Sequence, residues 1–251
     1  MDDAYGALLD DLEAEQVETQ AALAPVGVDD WFRPTPAKGW DVRDTAAHLA
    51  DTDEIAVDTC TGGERPLNEF ASRLASPEDA TLWGVLRGRR RTGTEVLEWW
   101  EEASAVEREV LARLDPAGRV PWGLGMRPNS FVTARLMETW AHGLDVRAAL
   151  DLPVTDTDRL RHVAWLGYRA LPYAFSIAGR AQPPGELRVE LTLPSGATYE
   201  LGPAGAPNRV TGPAGEFCRL CVQRTTLAEA TALRAEGDGA IAALEVARAF
   251  L

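Results

Sequence analysis

The chain has 251 residues, enough for one large domain or two modest ones, and its 45% apolar and 25% charged residues are an ordinary globular balance. A formal net charge of -14 repels nucleic-acid phosphates and anionic bilayers alike, and no apolar run reaches the length of a membrane span, so neither nucleic acid nor membrane is an expected partner. The acidic opening MDDAYGALLDDLEAE is the reverse of a basic signal-peptide start, and three cysteines (Cys60, Cys218, Cys221) give no even disulfide framework; both point to a cytoplasmic protein.

Residues 2–24 carry Tyr5, Leu8, Leu9 and Leu12 at helical spacing, and Pro25 ends the pattern. Pro34, Pro36 and Gly39 mark a loop. Asp41 then suits an N-cap, with Asp44 three residues on, and predicts a second helix over 41–60 in which His48 shares a face with Thr45, Thr52 and Ile55. Gly62, Gly63 and Pro66 stop it. Residues 67–92 give no firm assignment: short helices are indicated through Phe70 and Leu74 and through Leu82 and Leu86, and the basic run Arg87 to Arg91 reads as a solvated helix face. Over 94–114 the stripe Val96, Leu97, Trp100, Ala103, Val110, Leu111 and Leu114 predicts a third long helix. A loop at 119–129 rich in Pro and Gly, with an exposed-looking Trp122 and Met126, leads into a fourth over 130–150, capped by Asn129 or Ser130. Four such helices are the raw material of a four-helix bundle.

After Leu150 the texture changes. A connecting helix is expected over 157–174, and LRVELTL then alternates Leu187, Val189, Leu191 and Leu193 with polar residues, the pattern of a half-buried strand. Pro194, Ser195 and Gly196 turn into a second strand carrying Ala197, Tyr199 and Leu201. A short third strand is indicated at 209–211, and helices at 214–223 and 240–251. Cys218 and Cys221 form a CxxC among large apolar residues with no partner motif, which reads as a buried pair and not a redox or zinc centre. The fold class is therefore α+β, with a helical bundle over 1–152 and a connecting helix plus small α+β domain over 153–251.

The fourth helix carries the chemistry. Phe131, Arg135, Glu138, His142 and Asp145 follow at spacings of four, three, four and three and share one face, four of them polar in an otherwise apolar helix. Glu138 and His142, one turn apart, can chelate one divalent ion or form an ordinary i,i+4 ion pair. A metal needs a third ligand. The chain has only three histidines, and His48, on another helix, is the natural choice, whereas His162 reads as structural.

Three segments in order, GWDVRDTAAHLADTDE, ARLMETWAHGLDVRAAL and VTGPAGEFCRLCVQR, supported by LRHVAWLGYR, together resemble the mycothiol-dependent maleylpyruvate isomerase family within the DinB-like superfamily. The resemblance spans nearly the whole chain. It implies a DinB-like four-helix bundle with a small C-terminal α+β domain, and a metal, zinc by expectation, held by His48, Glu138 and His142 with a fourth position open for chemistry. It implies mycothiol as co-substrate: the metal lowers the thiol pKa, the thiolate adds to a conjugated double bond, rotation follows, and elimination returns the other isomer, or the adduct is itself the product of a transferase. Within that frame Arg135 and Arg224 suit a carboxylate of substrate or thiol, although Arg135 can equally pair with Glu138 or Asp145. The sequence after Arg224 departs from the more basic continuation of relatives. Asp145 suits an acceptor that orients His142. Two other classes stay open: a metal enzyme that uses no thiol (an isomerase, lyase or hydrolase of specialised metabolism) and a non-catalytic protein that binds a metal or small ligand.

Overall fold

The computed structural model of the protein describes residues 3–74, 76–123 and 125–249. The chain divides into two units, Met1–Val154 and Thr155–Leu251.

In the first unit α1 (Asp3–Leu23) buries Tyr5, Leu8, Leu9 and Leu12; the expected starting residue 2 lies outside the described residues. A short 3-10 turn at Asp30–Phe32 precedes α2 (Val42–Thr61), where the Asp41 side chain accepts from the Asp44 backbone N–H and Gly62, at φ 73°, takes the left-handed conformation that ends the helix. The unassigned stretch holds α3 (Leu67–Ser72), which stops short of Leu74, and α4 (Pro77–Gly88), opened by a capping box between Ser76 and Asp79. Next come α5 (Gly93–Leu111), with a second capping box between Thr92 and Glu95, and α6 (Pro128–Ala149). The expected cap of α6 at Asn129 or Ser130 is corrected: Arg127 is the cap, and Pro128, whose missing N–H costs nothing in the first turn, begins the helix.

The bundle is closed by α2 on α5, α1 on α6, and further packing of α2 on α6 and α1 on α5. Its core lies where the small residues Ala46, Ala47 and Ala50 of α2 admit Trp99 and Trp100 of α5. α4 lies against α2 at Gly88, where an added Cβ would sit 2.2 Å from the Cβ of Ala47. That packing corrects in part the reading of the arginine run as a solvated face: Arg89 and Arg90 are exposed, while Arg87 and Arg91 are half-buried. Arg87 pairs with Asp51 and Glu54, Arg89 pairs with the buried Asp44, and Arg87 and Arg91 each lie 4.5 Å from the centre of the Trp99 ring. Arg87 at the end of α4 and Arg89 just after it meet acidic residues of α2.

In the second unit the single connecting helix is corrected to two, α7 (Leu160–Arg169) and α8 (Leu171–Ile177), because Pro172 has no N–H to continue the first. Strands β1 (Leu187–Thr192), β2 (Thr198–Leu201) and β3 (Asn208–Pro213) form a sheet in the order β2-β1-β3-β4, with β4 (Arg234–Glu236) at its edge. β1 pairs antiparallel with β2 and parallel with β3. Val189 and Leu191 are buried as the alternation requires, while Glu190 on the other face pairs with Arg188 and Arg209. The sequence reading missed β4, since Arg-Ala-Glu has no apolar alternation to mark it. Helices α9 (Ala214–Cys221) and α10 (Asp238–Val246) follow, and α10 ends at Val246, short of the expected 251; the final two residues lie outside the described range. Cys218 and Cys221 are free and fully buried on α9, and burial pushes both thiols up, Cys221 to about 12.

Candidate metal centre

Residues from two helices converge between α2 and α6. The inward face of α2 carries His48, only 8% exposed, and α6 carries Glu138 and His142 on successive turns. Glu138 Oε2 lies 3.7 Å from His48 Nε2 and 3.6 Å from His142 Nε2, and one ligand atom from each of the three falls within 4.8 Å of the others. The two imidazoles meet edge to face at 4.9 Å. Glu138 keeps 26% of its side chain exposed, more than either imidazole.

These distances fit a divalent cation. At 3.6–3.7 Å the carboxylate is too far from either nitrogen for a hydrogen bond, whereas tetrahedral ligands about 2.1 Å from a common ion lie about 3.4 Å apart. Behind His142 the fully buried Asp145 holds Nδ1 at 3.0 Å. A neutral imidazole that donates its Nδ1 proton to a carboxylate presents an Nε2 lone pair, and here that lone pair would face the oxygen of Glu138. A cation between them resolves the opposition. Two imidazoles and one carboxylate are also a donor set that zinc accepts.

Charge is arranged around the same point. Burial opposes the ionised form of Glu138, but the facing imidazoles of His48 and His142 and the charge of Arg135 outweigh it and pull the carboxyl down to about 2. Burial favours the neutral, ligand-competent form of His48 and outweighs the opposing pull of Glu138.

The two partners expected for Arg135, Glu138 and Asp145, are replaced by others. Its guanidinium, 2% exposed, donates from Nε to Glu107 at 2.8 Å and from Nη2 to Asp53 at 2.5 Å and to the Thr52 hydroxyl at 3.0 Å. Thr52 donates in turn to the backbone carbonyl of His48 at 2.8 Å. Trp100 Nε1 donates to the second oxygen of Asp53, and Gln16 donates to that of Glu107. Burial pushes Glu107 up to about 8, with Asp53 adding to it against the pull of Arg135, and burial raises Asp53 as well. Arg224 belongs to the second unit, where it donates to the carbonyl of Val222 at 2.8 Å. His162 lies half-buried on α7 in that same unit.

Three residues near the site escaped the sequence reading. Asp53 and Glu107 carried a usable signal: each interrupts a buried stripe, Val42-Ala46-Leu49-Asp53-Ala56 on α2 and Val96-Trp100-Ala103-Glu107-Leu111 on α5. Trp40 carried no periodic signal, because it precedes the N-cap of α2; it stands only within the segment that carries the family resemblance. Its ring lies 4.9 Å from that of His48 and 5.8 Å from that of His142.

Comparison with known proteins adds a second line of observation. Residues 12–147 match the family model of the mycothiol maleylpyruvate isomerase N-terminal domain. Uncharacterized proteins of Mycobacterium tuberculosis, from strains CDC 1551 / Oshkosh and ATCC 25618 / H37Rv, are each 36% identical over 246 residues, covering 98% of this chain and 95% of the relative. Among solved structures, a mycothiol-dependent maleylpyruvate isomerase superposes with a TM-score of 0.62 at 16% identity over 92% of both chains. A histidine-to-alanine mutant of such an isomerase gives 0.60 at 17% identity over the same shares. At that identity the likeness speaks for the fold.

Proposed function

The chain belongs to the mycothiol maleylpyruvate isomerase family, and on that premise we propose that it is a zinc-dependent enzyme that activates a low-molecular-weight thiol, mycothiol, for attack on a small conjugated electrophile, as an isomerase or S-transferase. The observation that carries the reading is the convergence of His48, Glu138 and His142 within 4.8 Å, with Asp145 behind His142. A family whose name includes a thiol and a site that draws three ligands from the described residues point the same way.

The residues have separable tasks. His48, Glu138 and His142 would hold the ion, which when bound supplies Lewis-acid charge that favours the thiolate form of a thiol. Asp145 fixes the ring of His142 and its tautomer. Arg135, committed to Glu107 and Asp53, positions the site in place of touching substrate: through Thr52 it fixes the carbonyl of His48, and its charge adds to the larger pull of the two imidazoles on Glu138. Arg224 is the remaining candidate for a carboxylate of thiol or substrate.

The test is metal content by mass spectrometry on protein purified without a metal-affinity tag, for wild type and His142→Ala, followed by calorimetric titration with mycothiol. Near-stoichiometric zinc that the variant loses, with thiol binding by the wild type alone, is the expected result. Zinc without thiol affinity would move the assignment to a metal enzyme that needs no thiol. A wild-type protein without specific metal would overturn the proposal.

A further inference from the structure

The two candidate imidazole ligands are held differently. His142 has Asp145 on its Nδ1 at 3.0 Å. His48 has nothing comparable: among the described residues its side chain meets Glu138 through Nε2, the ring of His142, and the ring of Trp40. An imidazole with no acceptor on its second nitrogen is free to rotate about its side-chain bonds unless packing stops it, and ring orientation decides whether a lone pair points at the ion.

Trp40 is placed to stop it. Its backbone is pinned by a turn in which its N–H donates to Ala37 and its carbonyl accepts from the N–H and hydroxyl of Thr35. From there the indole lies tilted against His48 at 4.9 Å and nearly parallel to His142 at 5.8 Å, so one rigid surface touches a ring from α2 and a ring from α6. The residue is half-buried, and its ring packs against both imidazoles. A flat, inflexible side chain restricts a neighbouring ring at small entropic cost to itself.

We infer that Trp40 is a positioning residue of the metal centre, whose indole face sets the ring plane of His48 and replaces the hydrogen-bond acceptor that this ligand lacks. The inference rests on the metal reading above. Trp40→Phe keeps a flat face, whereas Trp40→Leu keeps apolar bulk without one. Each variant of the full chain is titrated with cobalt(II), read by its visible d–d absorption, and the metal-free proteins are compared by NMR of the histidine ring protons. The leucine variant is expected to bind cobalt about ten-fold more weakly, with altered d–d bands and with the ring-current shift of the His48 protons lost, while the phenylalanine variant stays near wild type on all three. Equal affinities and spectra for leucine, phenylalanine and tryptophan would overturn the inference alone. No cobalt uptake by the wild type would overturn the metal reading and this inference with it.

Discussion

Asp145 and Arg135 both stand beside the ligands, and their burial sets what each can do. Asp145 is 1% exposed and holds His142 Nδ1 at 3.0 Å, so Asp145→Ala removes the acceptor that orients this imidazole. A loss of about 10- to 100-fold in zinc affinity is expected, measured by competition with a chromophoric chelator. The cluster of Arg135, Glu107 and Asp53 makes a pH prediction. Burial, reinforced by Asp53, raises the Glu107 carboxyl from the ordinary 4.5 to about 8, so the folded protein keeps a proton that the unfolded chain releases near 4.5. The stability this group contributes is therefore complete below pH 4.5 and lost as the pH rises through about 8. Urea midpoints should fall across that window, and Glu107→Gln, which mimics the protonated acid, should flatten the slope. A midpoint that rises with pH and is unaltered by the substitution would contradict the assignment. At this scale the sequence was legible in part: Glu138, His142 and Asp145 declare themselves by spacing within one helix. The partners of Arg135 do not, because Asp53 and Glu107 stand 82 and 28 residues away.

At the scale of elements, local chemistry explains where helices begin and packing explains which faces meet. Asp41 and Asp44 mark the start of α2 as directly as any motif can, and the capping boxes at Ser76 and Thr92 do the same for α4 and α5. The boundary of α6 was misplaced by two residues because Pro128 is as acceptable in a first turn as in a loop. The junction of α4 and α2 separates propensity from packing. Replacing a helical glycine by alanine gains at most about 1 kcal/mol, and less at Gly88, the last residue of α4. The new Cβ would lie 2.2 Å from that of Ala47, and overpacking of this kind costs about 1–3 kcal/mol. Gly88→Ala is therefore expected to lower the denaturant midpoint, even though the same change would favour the isolated helix; a raised midpoint would show that α4 can withdraw from α2 at no cost.

For the molecule as a whole, an ion that joins α2 to α6 binds the folded state and not the unfolded chain, so zinc should raise the thermal midpoint of the first unit. At a free concentration about 100 times its dissociation constant the gain is about 2.7 kcal/mol. Scanning calorimetry with and without chelator checks this, and His142→Ala should abolish the difference; an equal response in the variant would place the ion elsewhere. No described helix is long and apolar enough to cross a membrane, as the composition led one to expect. By itself the sequence determined the long helices, the alternating strand β1, the buried CxxC, and the pairing of Glu138 with His142, because 3.6- and 2-residue periodicities are local properties of a chain. Only the tertiary structure decided that His48 faces Glu138, that Arg135 is consumed by Asp53 and Glu107, that Arg87 and Arg89 pair with acidic residues of α2, and that Trp40 rests on two imidazoles. Each of those depends on which helix faces are brought together, and that is settled by the burial of the whole core and not by the residues flanking any one position.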